Sequence, residues 1–246
     1  MKIIIILLSL LTLSISLNYA LYSELSKTYK NQLKVQLDPA GQNLHLKDNS
    51  TMIGQVDSHK KKIILFGDSR IAMWSPLPNN KTIEIIKRGR HGETSSMSLL
   101  RLDHDVIPLK PDTVIIQTGI NDLKAIGFFP HKAHKIIKNT QQNILNLVTR
   151  LKQENINIEL MTILPPGEFG LFRKIYGTKG IRKSVTEVNN YIKTLQGDGI
   201  RVVDMEAIYH SNGTMPSRYR KDDLHINREG YMTLNSSIEK ILQQPR

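Results

Sequence analysis

From residue 61 onward the chain alternates short apolar runs with longer stretches of helical periodicity, and this alternation narrows the available folds more than any other feature. Strands are expected at 63–66, 82–87, 113–117, 158–163 and 201–203. Helices are expected at 95–107, 132–155, 181–195 and 228–242. Short buried strands separated by helices imply a parallel sheet covered on both faces, an α/β domain of three layers, α/β/α. Ligands of open parallel sheets bind outside the carboxyl ends of the strands. The residues directly after each strand are therefore the informative part of the sequence.

After the first expected strand comes Gly67-Asp68-Ser69-Arg70, and after the second Arg88-Gly89-Arg90-His91-Gly92-Glu93. After the third comes Gly119-Ile120-Asn121-Asp122. Ahead of the final helix comes Asp222-Asp223-Leu224-His225. The fold would bring these blocks to one edge, although Ser69 and His225 lie 156 residues apart. A serine hydroxyl becomes a useful nucleophile beside a base whose tautomer is held by a third group. Asp222 and His225, three residues apart, can meet on one tight turn. The backbone N–H groups of Ser69 and Gly92 and the side-chain amide of Asn121 are the candidate donors to a developing oxyanion. Glycine at 92 would let backbone approach a ligand closely. Asp68 and Asp122 read as turn stabilisers rather than chemical groups.

These four blocks, in this order, resemble the SGNH (GDSL-type) hydrolases over residues 61–246. The resemblance implies a flavodoxin-like three-layer fold and an esterase mechanism without metal or cofactor. It implies that Ser69, Asp222 and His225 are catalytic and that Ser69, Gly92 and Asn121 form the oxyanion hole. The sequence departs from the family pattern in places. Arg70 stands where the name-giving leucine would be, Lys87-Arg88 where many relatives have Asn-Arg, and Ile226 where proline often comes after the histidine. Arg70, His91, Phe169 and Phe172 are the expected substrate contacts. The last two lie in a long segment after the fourth strand that reads as a flap over the site. His131 and His134 suggest a metal pair, but no third ligand accompanies them and a solvated basic face accounts for both.

Residues 1–22 begin with Met1-Lys2 and run apolar from Ile3, as a signal peptide does, and are also long enough for a membrane anchor. Both readings place the remainder outside the cytosol, in the periplasm or secreted, and cleavage stays open. Residues 23–60 read as a linker or stalk carrying a short amphipathic helix. The chain contains no cysteine, which excludes a disulfide framework, a thiolate zinc site and a cysteine nucleophile.

Lysine and arginine number 34 against 22 acidic residues, a formal charge of +12. No nucleic-acid motif accompanies that charge, so no nucleic-acid partner is expected. An anionic substrate or surface accounts for it, and so does a generally basic exterior. The expected function is an exported serine esterase acting on a small-molecule, polysaccharide or lipid ester. The alternatives are an O-acyltransferase or deacetylase of envelope polysaccharide, and a non-catalytic envelope protein that binds polyanions. Oligomeric state is open.

Overall fold

The computed structural model describes residues 2–37, 60–78, 81–170, 178 and 180–244. The chain divides into two compact units, Met1–Lys47 and Asp48–Arg246. In the first, helix α1 covers Lys2–Leu37. Its apolar part is long enough to cross a membrane, with mean hydropathy 2.2 over the most apolar stretch. The helix runs unbroken from the apolar segment into the start of the segment read as stalk, where a short amphipathic helix was expected. No proline or glycine occurs before Pro39 to stop it. The rest of the expected stalk, 38–59, lies outside the described residues.

The second unit is built on the parallel strands β1 (Lys61–Gly67), β2 (Ile83–Gly89), β3 (Thr113–Gln117), β4 (Asn157–Met161) and β5 (Ile200–Val203). Their spatial order is β2-β1-β3-β4-β5. This is the doubly wound, flavodoxin-like order, whose switch point lies between β1 and β3. Alternation along each strand sends side chains to opposite faces. Ile64, Phe66, Val114, Ile116, Ile158 and Leu160 join one apolar cluster. Ile63, Leu65, Ile115, Met161 and Val203 join the other. Each such side chain contributes about 1.5–3 kcal/mol when fully buried.

Helices α3 (Ser95–Asp105), α5 (Ala133–Gln153) and α6 (Ile181–Thr194) supply the first cluster. The buried residues of α5, Ile137, Ile144, Leu147, Val148 and Leu151 among them, keep helical spacing along one stripe. The second cluster is closed by α7 (Met205–Tyr209) and α8 (Arg228–Gln243). Two short helices complete the unit, α2 (Ser69–Ala72) and α4 (Ile120–Lys124). Both are too short to have announced themselves by periodicity, and both begin immediately beyond a strand end. β4 stops two residues short of the expected end, because the buried Asn189 amide takes both polar groups of Ile163. Asn189 Oδ1 accepts from the Ile163 N–H at 2.7 Å, and its Nδ2 donates to the Ile163 carbonyl at 2.8 Å.

The register aligns Gly67 with Gly89 and with Gln117, so the carboxyl ends of β1, β2 and β3 finish level. Close packing there demands glycine. A Cβ on Gly67 would sit 1.8 Å from the Gln117 carbonyl oxygen, and its φ is +143°. Gly67→Ala should therefore fail to accumulate as folded protein or melt far below wild type. Gly92→Ala, whose Cβ would meet nothing within 4 Å, should lose only about 1–3 kcal/mol to its positive φ of +75°. Urea unfolding of both variants checks the contrast.

Candidate active site

Ser69 opens α2 directly after β1. The turn is formed by Asp68, which caps the helix by accepting from the Arg70 N–H at 2.9 Å. The Asp68 carboxyl is completely buried. Burial pushes its pKa up, against the opposing pull of the Arg70 charge and of that N–H. The Ser69 hydroxyl emerges at the sheet edge and donates to His225 Nε2 at 2.8 Å. On the other side of the ring, His225 Nδ1 donates to the Asp222 carboxylate at 2.8 and 3.0 Å. Serine, imidazole and carboxylate thus form one continuous chain of hydrogen bonds across 156 residues of sequence. This chain can take a proton from a serine hydroxyl and stabilise the cation that results.

Asp222 holds His225 by folding its own backbone. Its Oδ1 accepts from the Leu224 N–H at 2.8 Å and from the His225 N–H at 2.9 Å. This is an aspartate turn that the short spacing of the two residues makes possible. Partial burial alone would raise the Asp222 pKa. The Leu224 N–H, the His225 ring and the His225 N–H outweigh it and hold the carboxyl below its usual range. Beyond the histidine, Asn227 caps α8 by accepting from the Gly230 N–H at 2.9 Å. The loop after β4 backs the same turn, since the Gly167 N–H donates to the Asp223 carbonyl at 2.9 Å. Arg182 pins that loop, donating to the Gly167 carbonyl at 2.7 Å and to the Gly213 carbonyl at 3.2 Å.

The turn carrying Gly92 is fixed from below. Arg101 is buried and donates to both oxygens of Glu93, to Asp105, and to the backbone carbonyls of Gly67 and Arg88. Sequence alone did not single out Arg101, Glu93 or Asp105. The available signal was an Arg and an Asp four apart on a helix, eight residues after a glutamate in a glycine turn. Asn121 joins the arrangement from α4, with its Nδ2 donating to the Glu93 carbonyl at 2.8 Å. An amide has two N–H donors, and this contact takes one. The backbone N–H groups of Ser69 and Gly92 have no acceptor among the described residues. Asp122 accepts from the N–H and hydroxyl of Ser95 at 2.8 and 2.7 Å, tying α4 to the start of α3.

Among the expected substrate contacts, His91 is exposed beside Gly92. Arg70 and Phe169 are corrected by their burial. The Arg70 side chain turns under the 222–225 segment, where Nε donates to the Leu224 carbonyl at 2.9 Å, and burial lowers its pKa. Its two terminal nitrogens are buried without a partner among the described residues. Phe169 packs into the core with the Arg182 guanidinium 5.4 Å from its ring centre. An aromatic ring gains more from that burial than from exposure on a flap. Phe172 lies outside the described residues.

This geometry has counterparts among known proteins. A family model for the GDSL-like lipase/acylhydrolase family matches residues 65–232. Among solved structures, a GDSL-like lipase from Bacteroides thetaiotaomicron is 24% identical with a TM-score of 0.63, over 79% of this chain and 95% of that one. A lipase/acylhydrolase from Enterococcus faecalis is 23% identical with a TM-score of 0.57, over 76% and 98%. An acetylxylan esterase from Geobacillus stearothermophilus is 18% identical with a TM-score of 0.58, over 76% and 97%. At these identities the likeness to the solved structures is one of fold. No curated protein matches the chain.

The lowered Asp222 pKa makes stability depend on pH. A carboxyl whose folded pKa is depressed adds stability above its unfolded value and loses it as pH falls through the folded one. Asp222→Asn should therefore be less stable than wild type at neutral pH. The gap should begin to narrow as the pH drops below the ordinary aspartate range near 4 and vanish below the lower folded value. Urea melts of the two proteins across that window test this; a gap independent of pH would contradict it.

Proposed function

The chain belongs to the GDSL-like lipase/acylhydrolase family and is a carboxylic ester hydrolase, and from that membership we propose that it is an exported serine esterase working through an acyl-enzyme on Ser69. The observation that carries this reading is the hydrogen-bonded line from Ser69 Oγ through His225 to Asp222. Ser69 Oγ attacks the acyl carbonyl while His225 Nε2 takes the hydroxyl proton. Asp222 keeps Nδ1 protonated and balances the imidazolium. The carbonyl oxygen becomes an oxyanion, and the unspent N–H groups of Ser69, Gly92 and Asn121 are its donors. His225 then returns the proton to the departing alkoxide, leaving the acyl group on Ser69. Water, deprotonated by the same histidine, releases the acid and restores the serine.

Export is supported by α1, whose apolar run over residues 3–22 fits either a signal peptide or an inner-membrane anchor. The mass of the mature protein, measured in membrane and soluble extracytoplasmic fractions, separates the two. The acyl group is not specified by the relay. An acetyl ester is the natural first probe, given that one similar fold belongs to an acetylxylan esterase.

Ser69→Ala should abolish both turnover of p-nitrophenyl acetate and labelling by a fluorophosphonate; retained turnover would overturn the assignment. Asn121→Ala should lower kcat by roughly 10²–10³, the usual cost of losing one oxyanion donor. That variant should still be labelled by the probe, because the nucleophile and its base remain.

A further inference from the structure

The loop after α4 carries two adjacent phenylalanines that the ester chemistry does not use. Phe128 is 64% exposed and Phe129 48% exposed, although most large apolar side chains of this unit are buried. The tip is held in place. The N–H groups of both residues donate to the Ala125 carbonyl, at 3.1 and 2.9 Å, and Ile126 is anchored in the core. Behind the tip, His131, Lys135 and Lys138 recur at three- and four-residue spacing on exposed positions. The Lys132 ammonium lies 5.4 Å from the Phe129 ring centre. No carboxylate pairs with Lys132, Lys135 or Lys138 among the described residues. Between Asp122 and Glu154 the sequence contains no acidic residue at all.

Rigid exposed aromatics backed by an unneutralised cationic face are what an interfacial lipid contact requires. The rings enter the headgroup boundary while the lysines meet anionic headgroups. The same chain carries a helix long enough to cross a membrane. We propose that the Phe128–Phe129 tip and the lysines behind it dock on an anionic lipid surface. The tip comes after β3 and α4, the elements that deliver Asn121. Docking would therefore hold the carboxyl edge of the sheet near the bilayer. The inference does not depend on Ser69 chemistry.

Because the chain has no cysteine, a single introduced cysteine can carry an environment-sensitive fluorophore. The full-length protein is labelled at His131→Cys, and separately at Met232→Cys on α8, which packs on the opposite face of the sheet. Each is mixed with phosphatidylcholine vesicles made with or without phosphatidylglycerol. The probe at 131 should shift to the blue and become shielded from iodide only when phosphatidylglycerol is present. The probe at 232 should not respond. Adding Phe128→Ser with Phe129→Ser should abolish the shift without lowering the melting temperature, since both rings are exposed. Lys132→Glu with Lys135→Glu should reduce it at least several-fold, and salt should do the same. The proposal is overturned if the probe at 131 stays accessible on phosphatidylglycerol vesicles or responds equally to pure phosphatidylcholine. It is likewise overturned if a soluble acidic polysaccharide produces the shift without vesicles.

Discussion

Arg101 holds the carboxyl edge of the sheet together. Its guanidinium is buried with the Glu93 and Asp105 carboxylates and over the Phe66 ring, 4.1 Å from the ring centre. Taking such charges out of water costs several kcal/mol per ion, which geometry must return. Here it returns as five hydrogen bonds to different elements: the ends of β1 and β2, the turn bearing Gly92, and the helix α3. The two backbone carbonyls matter most for function. They are those of Gly67, which precedes the Asp68–Ser69 turn, and of Arg88, which precedes the glycine turn. One side chain therefore fixes the spacing between two loops that share the site.

The opposite side of the site is organised by backbone rather than by charge pairs. Asp222 shapes its own turn, Asn227 caps the helix after it, and the loop after β4 lies against it through Gly167 and Asp223. Arg70 supports that turn from beneath, at the cost of burying donors it cannot fully use. The site is thus a junction of four loops, each stiffened by its own capping or clamping contact, above a sheet with an apolar cluster packed on each face.

Strand positions were legible to within two residues, because short β-branched runs flanked by glycine and charge leave little choice. The functional blocks were legible for a related reason: they are turns, and turn chemistry is local. Asp68 capping Ser69 and Asp222 folding onto His225 are contacts over two or three residues. The Arg101 network was not legible, since Gly67 lies 34 residues away and only sheet register brings it near. Phe169 and Arg70 were misread for the same reason. An aromatic in a loop and an arginine in a turn look exposed until neighbouring elements close over them. In α1 the composition changes near residue 22 while the helical backbone continues to Leu37.

By itself the sequence determined the layer architecture, which serine, histidine and aspartate would meet at the sheet edge, and the presence of an apolar membrane-length segment. Periodicity and turn chemistry act over a few residues, and the four blocks each lie within such a span. Tertiary structure decided which donors remain unspent, which side chains are withdrawn from the substrate side, and which apolar residues stay uncovered. Those outcomes depend on what packs against each group after strands distant in sequence have come into register. That is why the Ser69–His225 contact could be expected, whereas the buried guanidinium beneath the site and the exposed phenylalanine pair beside it could only be observed.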